Sequence, residues 1–230
     1  CRRRGAPAAF SLVNLQPLIN RAGTSSPRLL LAGGDSFVLR NALGRLQQAG
    51  LKTAAVVGAG TMRPGSHPRL DAIATVLRNR KPERVRDGIH ALDLAADPVR
   101  FAAGLAAVGD ADAVVSGPGI TPESSADTAV WTRGAPPDGG PVHSATWLLT
   151  ADGGLIAVAD CALAGKLAPN DRARLARLVA RAHQVVSGEP ARVAFLAGPK
   201  DQDSDGDADA ALAELARLEP GLAAEVDRSV

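Results

Sequence analysis

Residues 28–58 carry the clearest structural pattern in the chain, RLLLAGGDSFVLRNALGRLQQAGLKTAAVVG. The apolar run Arg28–Ala32 ends at two glycines, as a buried parallel strand followed by a turn does. Apolar residues then repeat at helical spacing as far as Gly50, a typical residue just after a helix end. A second short apolar run, Thr53–Val57, predicts another strand. The stretch therefore predicts a strand–helix–strand unit of a parallel α/β sheet.

The alternation of strands and helices continues toward the C-terminus. A helix is predicted over residues 70–77, with basic residues at its end, where cations complement the helix dipole. The pair Asp97-Pro98 opens another helix, because proline is tolerated in the first turn. Ala113–Val115 then predicts a strand that leads Ser116-Gly117 into a loop.

Residues 134–141, Gly-Ala-Pro-Pro-Asp-Gly-Gly-Pro, are the strongest linker signal in the chain. We therefore predict a first α/β domain over residues 27–136 and a second over residues 141–230. Residues 1–26 are predicted to form a basic, poorly ordered leader, which begins with Cys1 followed by three arginines.

The second predicted domain begins with a hairpin formed by Val142–Thr150 and Leu155–Ala159. A long helix capped by Asn170 or Asp171 and closed by Gly188 follows. The predicted elements beyond it are a strand over residues 192–197, an acidic loop over residues 201–209 and a helix over residues 210–218.

Composition excludes several classes of protein. Of the 230 residues 46% are apolar and 22% are charged, as in globular domains, and no apolar run approaches the ~20 residues that span a bilayer. Four Phe, two Trp and no Tyr, with a net charge of only +2, argue against a nucleic-acid partner. Two cysteines cannot form a disulfide framework, so we expect a cytoplasmic protein. Because no apolar run is long enough to span a bilayer, we expect no membrane partner.

Motifs for metal binding and nucleophilic catalysis are incomplete. The histidines lack paired ligand spacing, and Ser116 does not lie in a Gly-x-Ser-x-Gly turn. Asp201, Asp203 and Asp205 match the start of a calcium loop, but Leu212 stands where a bidentate Glu is needed. We expect no metal site and assign no catalytic residue.

A basic run at the end of the predicted 70–77 helix has two interpretations. It is either a solvated helix end or an anchor for a phosphorylated small molecule, because arginine presents a planar fork to phosphate oxygens. The run consists of Arg78, Arg80, Lys81, Arg84 and Arg86.

Three motifs resemble the phosphate acetyl/butyryl transferase family. They are Leu77-Arg78-x-x-Lys81, Asp97-Pro98-x-x-Phe101-Ala102-Ala103-x-Leu105 and Gly109-Asp110-Ala111-Asp112-Ala113-x-Val115-Ser116-Gly117. The stretch from Val142 to Asp160-Cys161-Ala162 is similar to the family's strand pair and the turn after it. The resemblance covers residues 28–226 and is most specific over residues 97–117.

The resemblance implies two α/β domains with largely parallel sheets and an inter-domain cleft. It implies transfer of an acyl group between coenzyme A (CoA) and inorganic phosphate, with acyl-CoA and acyl phosphate as the other partners and no cofactor besides CoA as substrate. The implied substrate-binding residues are Arg78, Lys81, Ser116, Gly117, Thr121, Ser144 and Asp160. Of these, Arg78 is expected to point into the cleft toward Ser116 and the turn at Asp160.

Departures from the family pattern leave alternatives open. Phe37 stands where the family has an arginine, and the chain stops before the family's last segment. We therefore expect CoA binding without acetyl phosphate formation. Two alternatives to a phosphate acyltransferase remain. One is a non-catalytic homologue that binds CoA, acyl phosphate or another protein, and the other is a different enzyme on the same architecture. The oligomeric state that we consider for this chain is a homodimer.

Overall fold

A computed structural model of the chain describes residues 16–33, 37–56, 62–136, 140, 142–150, 154–159, 163, 167–197 and 205–228. Residues Ile19–Val142 form one compact unit, called the first unit below. Residues His143–Val230 belong to a second compact unit. The predicted domain limits themselves stay predictions.

The first part of the chain alternates helices with three strands. These elements are α1 (Gln16–Ser25), β1 (Arg28–Ala32), α2 (Phe37–Gln48), β2 (Lys52–Val56), a 3-10 turn (Pro64–Ser66), α3 (Leu70–Arg80), a second 3-10 turn (Pro82–Arg84), α4 (Gly88–Ala95), α5 (Pro98–Ala107), β3 (Ala113–Ser116) and α6 (Pro122–Arg133).

The three strands form a parallel sheet in the order β2-β1-β3. Leu30 in the central strand pairs with Ala54 on one side and Val114 on the other. The parallel α/β architecture predicted from the sequence is thus confirmed. The core beside the sheet is built mainly by α3 and α5, whose fully buried side chains include Ile73, Phe101 and Leu105.

Three helices of this region were not predicted. Helix α1 lies within the predicted leader, whose poor order stays a prediction. Helix α4 begins after Asp87, whose carboxylate accepts a hydrogen bond from the His90 N–H at 2.8 Å. Helix α6 begins after Thr121 and has Pro122 in its first turn. Both starts carry ordinary N-cap residues, which the sequence interpretation overlooked.

The Gly-Asp-Ala-Asp motif before β3 has a structural role on both of its carboxylates. Asp110 accepts a hydrogen bond from Nε of Arg69 at 2.7 Å. Asp112 accepts bonds from the Arg28 backbone N–H at 2.7 Å and from its Nε and Nη2 at 3.0 and 2.9 Å. The second pair joins the starts of β1 and β3. These hydrogen bonds from Arg28 lower the pKa of Asp112 to about 2.

The Asp112 pair predicts a specific pH dependence of stability. Because the pKa of this carboxyl is lowered on folding, the pair stabilises the fold above its ordinary pKa of 3.8 and loses that effect as the pH falls to about 2. Asp112→Asn should therefore lower the melting temperature at neutral pH, and the difference from the wild type should vanish in strong acid. Asp93→Asn, at an exposed position of α4, is the control and should change little at either pH. A difference that grows on acidification would contradict this role.

The second unit contains a hairpin and a separate parallel strand pair. Its elements are β4 (Ala145–Leu149), β5 (Leu155–Ala159), α7 (Pro169–Ser187), β6 (Arg192–Leu196), α8 (Asp205–Leu218) and β7 (Ala223–Asp227). Strands β4 and β5 pair antiparallel, which confirms the predicted hairpin, and β6 pairs parallel with β7. A small core of Ala173, Phe195, Ala208, Ala211 and Leu215 joins α7 and α8 to this pair.

Three details of the second unit differ from the prediction. Helix α7 starts after Ala168, so Asn170 and Asp171 lie in its first turn rather than capping it, whereas Gly188 closes it in the left-handed conformation at φ +81°. Helix α8 begins at Asp205, within the predicted acidic loop, because acidic residues suit the first turn of a helix. Strand β7 was not predicted. None of the helices in the described part of the chain is long and apolar enough to cross a membrane.

Candidate functional site

The carboxyl edge of the parallel sheet brings two glycine-containing turns together. The Gly117 N–H donates to the Ala32 carbonyl at 2.7 Å. A Cβ at Gly117 would lie 2.7 Å from Cδ1 of Leu39, and one at Gly33, where φ is +140°, would lie 3.4 Å from the Gly117 backbone. A side chain at Gly117 would have to displace Leu39, and the backbone conformation of Gly33 favours glycine. Ligands of open α/β sheets bind at this edge, which carries the predicted residues Ser116 and Gly117.

Helix α6 continues from this edge and engages two predicted site hydroxyls. The Thr121 hydroxyl accepts a hydrogen bond from the Ser124 N–H at 3.2 Å and so caps the helix. The Ser125 hydroxyl donates to the Ser116 hydroxyl at 3.2 Å. Both predicted hydroxyls therefore have local structural partners in addition to any ligand.

The basic residues at the end of α3 do not share one environment. The Arg78 side chain is exposed and makes no hydrogen bond or ion pair with the described residues. By contrast, Nζ of Lys81 lies 3.6 Å from Oδ1 of Asp127 on α6, and Nη1 of Arg84 lies 2.8 Å from Oδ2 of the same carboxylate. The hydrogen bond from Arg84 and the charges of Arg84 and Lys81 hold the pKa of Asp127 below its ordinary value.

Arg84 is not the solvated surface residue that the basic run suggested. Its side chain is 43% exposed, and its Cζ lies 5.4 Å from the ring centroid of Trp131 in addition to the Asp127 pair. Arg80 packs against the end of α6, where a Cβ at Gly134 would lie 2.9 Å from its Nη1. The basic run is therefore partly structural, and Arg78, which the family resemblance implies as a substrate-binding residue, is its candidate anion-binding side chain.

Helix α6 connects the two halves of this candidate site. Ser125 contacts the Ser116 loop, whereas Nε1 of Trp131, about 9 Å further along the helix, donates to the Leu77 carbonyl at 2.9 Å. Asp127 lies between them and holds Lys81. Sequence reasoning missed this helix, although Thr121 followed by Pro122 is an ordinary helix start that could have revealed it.

Ser144 and Asp160 belong to the part of the chain beyond the first unit. The Ser144 hydroxyl and Nδ1 of His143 are buried, with no hydrogen-bond partner among the described residues. Asp160 lies outside the described residues. The predicted grouping of these residues with Arg78 stays a prediction.

The described residues contain no group of three or more His, Cys, Asp or Glu side chains that could hold a metal ion. Asp201 and Asp203 of the incomplete calcium motif lie outside the described residues. The second unit has a cavity of about 610 Å³ between β5, α7 and β6, and its lining includes Arg172, Arg192 and His183. None of the predicted site residues that the structure describes is in its lining.

Known proteins are similar to this chain along nearly its whole length. Residues 14–225 match the family model described as phosphate acetyl/butaryl transferase. A phosphate acetyltransferase of Paracoccus denitrificans is 30% identical over an alignment of 215 residues, and the match covers 86% of this chain and 67% of that protein.

Two solved structures share the fold at 17% sequence identity, each with a TM-score of 0.74. The EutD phosphotransacetylase from Staphylococcus aureus matches 94% of this chain and 72% of its own. A phosphotransacetylase from Streptococcus pyogenes matches 91% of this chain and 70% of its own.

Proposed function

Because the chain belongs to the phosphate acetyl/butyryl transferase family, we propose that it transfers an acyl group between CoA and inorganic phosphate. Family membership confirms the resemblance carried by residues 97–117 and supports an acyltransferase function. The identity of the two substrates, and the residues that bind them, are the proposed part.

The reaction defines what the site must supply. A phosphate oxygen attacks the thioester carbonyl, a C–O bond forms, the C–S bond breaks, and the CoA thiolate leaves and takes up a proton. Two anionic substrates must lie together while negative charge develops on the carbonyl oxygen, so the site needs fixed cations and N–H donors.

The observation that carries the proposal is the free cation Arg78 on a helix end tied to the ligand-binding edge of the sheet. Arg78 has no acidic partner among the described residues, so its guanidinium can form a charge-assisted, bidentate contact to a phosphate group. Helix α6 fastens the end of α3 and the Ser116 loop to one rigid element.

Each of the other predicted residues has a proposed part in this site. Lys81 supports the helix end through Asp127. Ser116 and Gly117 form the wall of the site at the sheet edge, beside the helix that Thr121 caps. For Ser144 and Asp160, substrate binding remains what the family resemblance implies.

Phe37 favours a second candidate function, CoA binding without turnover. Phe37 is the first residue of α2 and is 73% exposed. Because the resemblance places an arginine at this position, the site has one cation fewer for stabilising developing charge. A homologue of this kind would keep the ligand and lose the reaction.

One experiment separates these candidates. The purified chain is incubated with acetyl-CoA and phosphate without any added cofactor, and thiol release and acetyl phosphate formation are both followed. CoA affinity is measured by calorimetry on the same preparation. Formation of acetyl phosphate together with an equal amount of free CoA thiol supports the acyltransferase function. CoA binding without turnover supports the second candidate, and absence of both results overturns both.

A further inference from the structure

We infer that Trp131 is a positioning residue that fixes the end of α3 and thereby aims Arg78 at a phosphate group of the substrate. This inference rests on the proposed function, because it concerns the cation that would bind the phosphate. Trp131 itself is 4% exposed and acts through Arg78.

The hydrogen bond from Trp131 reaches a carbonyl in the last turn of α3. Nε1 of Trp131 donates to the Leu77 carbonyl at 2.9 Å, and the Lys81 N–H donates to the same oxygen at 3.2 Å. The last turn of a helix lacks the full set of internal hydrogen bonds and frays readily. A buried side-chain donor at Leu77 restrains this turn, and Arg78 is the next residue.

Two cations hold the Trp131 ring in the orientation that this bond requires. The Cζ atoms of Arg84 and Arg100 each lie 5.4 Å from the ring centroid, a distance at which a cation is attracted to an aromatic face. Arg84 is in turn held by Asp127, one helical turn before Trp131 on α6. The ring is therefore fixed by α5 and by the 3-10 turn after α3.

The other end of α6 makes this restraint relevant to ligand binding. Ser125 bonds to Ser116 at the sheet edge, so α6 sets the position of α3 relative to the loop that the substrate is proposed to contact. Loss of the Trp131 bond leaves the loop end of α6 in place and loosens only the end of α3. The effect of losing this hydrogen bond on CoA binding should therefore depend on the presence of Arg78.

Trp131→Phe is the test, because it removes the indole N–H and keeps an aromatic ring. Loss of one hydrogen bond predicts CoA binding about two- to tenfold weaker by calorimetry. Trp147→Phe, in β4 of the second unit, is the matched control and should leave CoA binding unchanged. In an Arg78→Ala background, Trp131→Phe should cause no further loss, because both changes act on one interaction.

Amide hydrogen exchange tests the restraint without any ligand. The amides of residues 78–81 should exchange several-fold faster in Trp131→Phe than in the wild type or in Trp147→Phe, whereas those of β1 should not change. Unchanged exchange at residues 78–81 overturns the inference whatever the CoA result. An equal loss of CoA binding with and without Arg78 overturns it too, since Trp131 would then serve general stability.

Failure of the proposed function gives a different result. If Arg78→Ala leaves CoA binding intact, or the wild type binds no CoA, the phosphate-binding role of Arg78 is wrong, and the aim assigned to Trp131 is overturned with it. Faster exchange at residues 78–81 would then identify the failure as that of the proposed function, because the restraint itself would be present.

Discussion

Gly104→Ala is expected to destabilise the first unit by about 1–2 kcal/mol. Gly104 lies on α5 where it crosses α3, and an added Cβ would overlap with Cγ2 of the fully buried Ile73 and lie 2.9 Å from its Cγ1. The β-branched side chain of Ile73 has few alternative rotamers, so overpacking should lower the free energy of unfolding by about 1–3 kcal/mol. The better helix propensity of alanine offsets up to about 1 kcal/mol of this loss. Urea denaturation measures the change.

Gly44→Ala provides a matched control of opposite sign. Gly44 lies inside α2, and nothing approaches within 4 Å of the position that a Cβ would take. This variant should gain about 0.5–1 kcal/mol from helix propensity alone. In an Ile73→Ala background the cost of Gly104→Ala should largely disappear, because both γ carbons are gone. Destabilisation of the same size in that background would show that the α3–α5 contact is not the cause.

The elements that the sequence predicted well are those whose burial follows a simple period. Strand β1 is a continuous apolar run that lies in the middle of the sheet, so its bounds could be predicted from the order of residues in the sequence. Helix α5 was located by the pair Asp97-Pro98, and Asp97 does cap it by accepting from the Arg100 N–H at 3.0 Å. Local chemistry and tertiary packing agree at these places.

Helix α6 escaped prediction because its buried face is not made of aliphatic residues. Its buried side chains are Thr128, Trp131 and Thr132. The Thr132 hydroxyl bonds to the Thr128 carbonyl within the helix, and the Trp131 indole finds an acceptor on α3, 54 residues earlier. A periodicity analysis that counts apolar residues cannot detect a face that is buried through hydrogen bonds.

The candidate site shows the same limit. Motifs predicted Arg78, Ser116 and Gly117 as site residues, which stays a prediction, but the sequence could not decide which cations of the basic run are free of ion pairs. That choice depends on Asp127, which lies 43 residues beyond Arg84 in the chain and is brought to it only by the packing of α6. Ion pairing between distant segments is a tertiary property, so charge patterning alone left both interpretations of the run open.

Arg78→Ala is expected to weaken CoA binding by about 1.5–3 kcal/mol, the range for a hydrogen bond to a charged group. The variant removes a guanidinium that has no partner among the described residues, so it should leave the fold intact. The measurement is calorimetry against CoA, with melting temperatures recorded in parallel. Because an exposed arginine attracts phosphate partly through charge, the wild-type affinity should also fall with added salt more steeply than that of the variant.

Arg86→Ala is the proper control for this prediction, and Arg84→Ala is not. Arg84 pairs with Asp127 and packs on Trp131, so its loss would disturb the end of α3 and affect binding indirectly. Arg86 is an exposed member of the same basic run and its side chain has no partner in the described part of the chain, so its removal should change CoA binding by less than about 0.5 kcal/mol. Equal losses from Arg78→Ala and Arg86→Ala would mean that CoA is attracted by a diffuse positive field. A large loss from Arg78→Ala alone would locate the phosphate contact at one side chain, since two exposed arginines on neighbouring segments contribute almost equally to any long-range field.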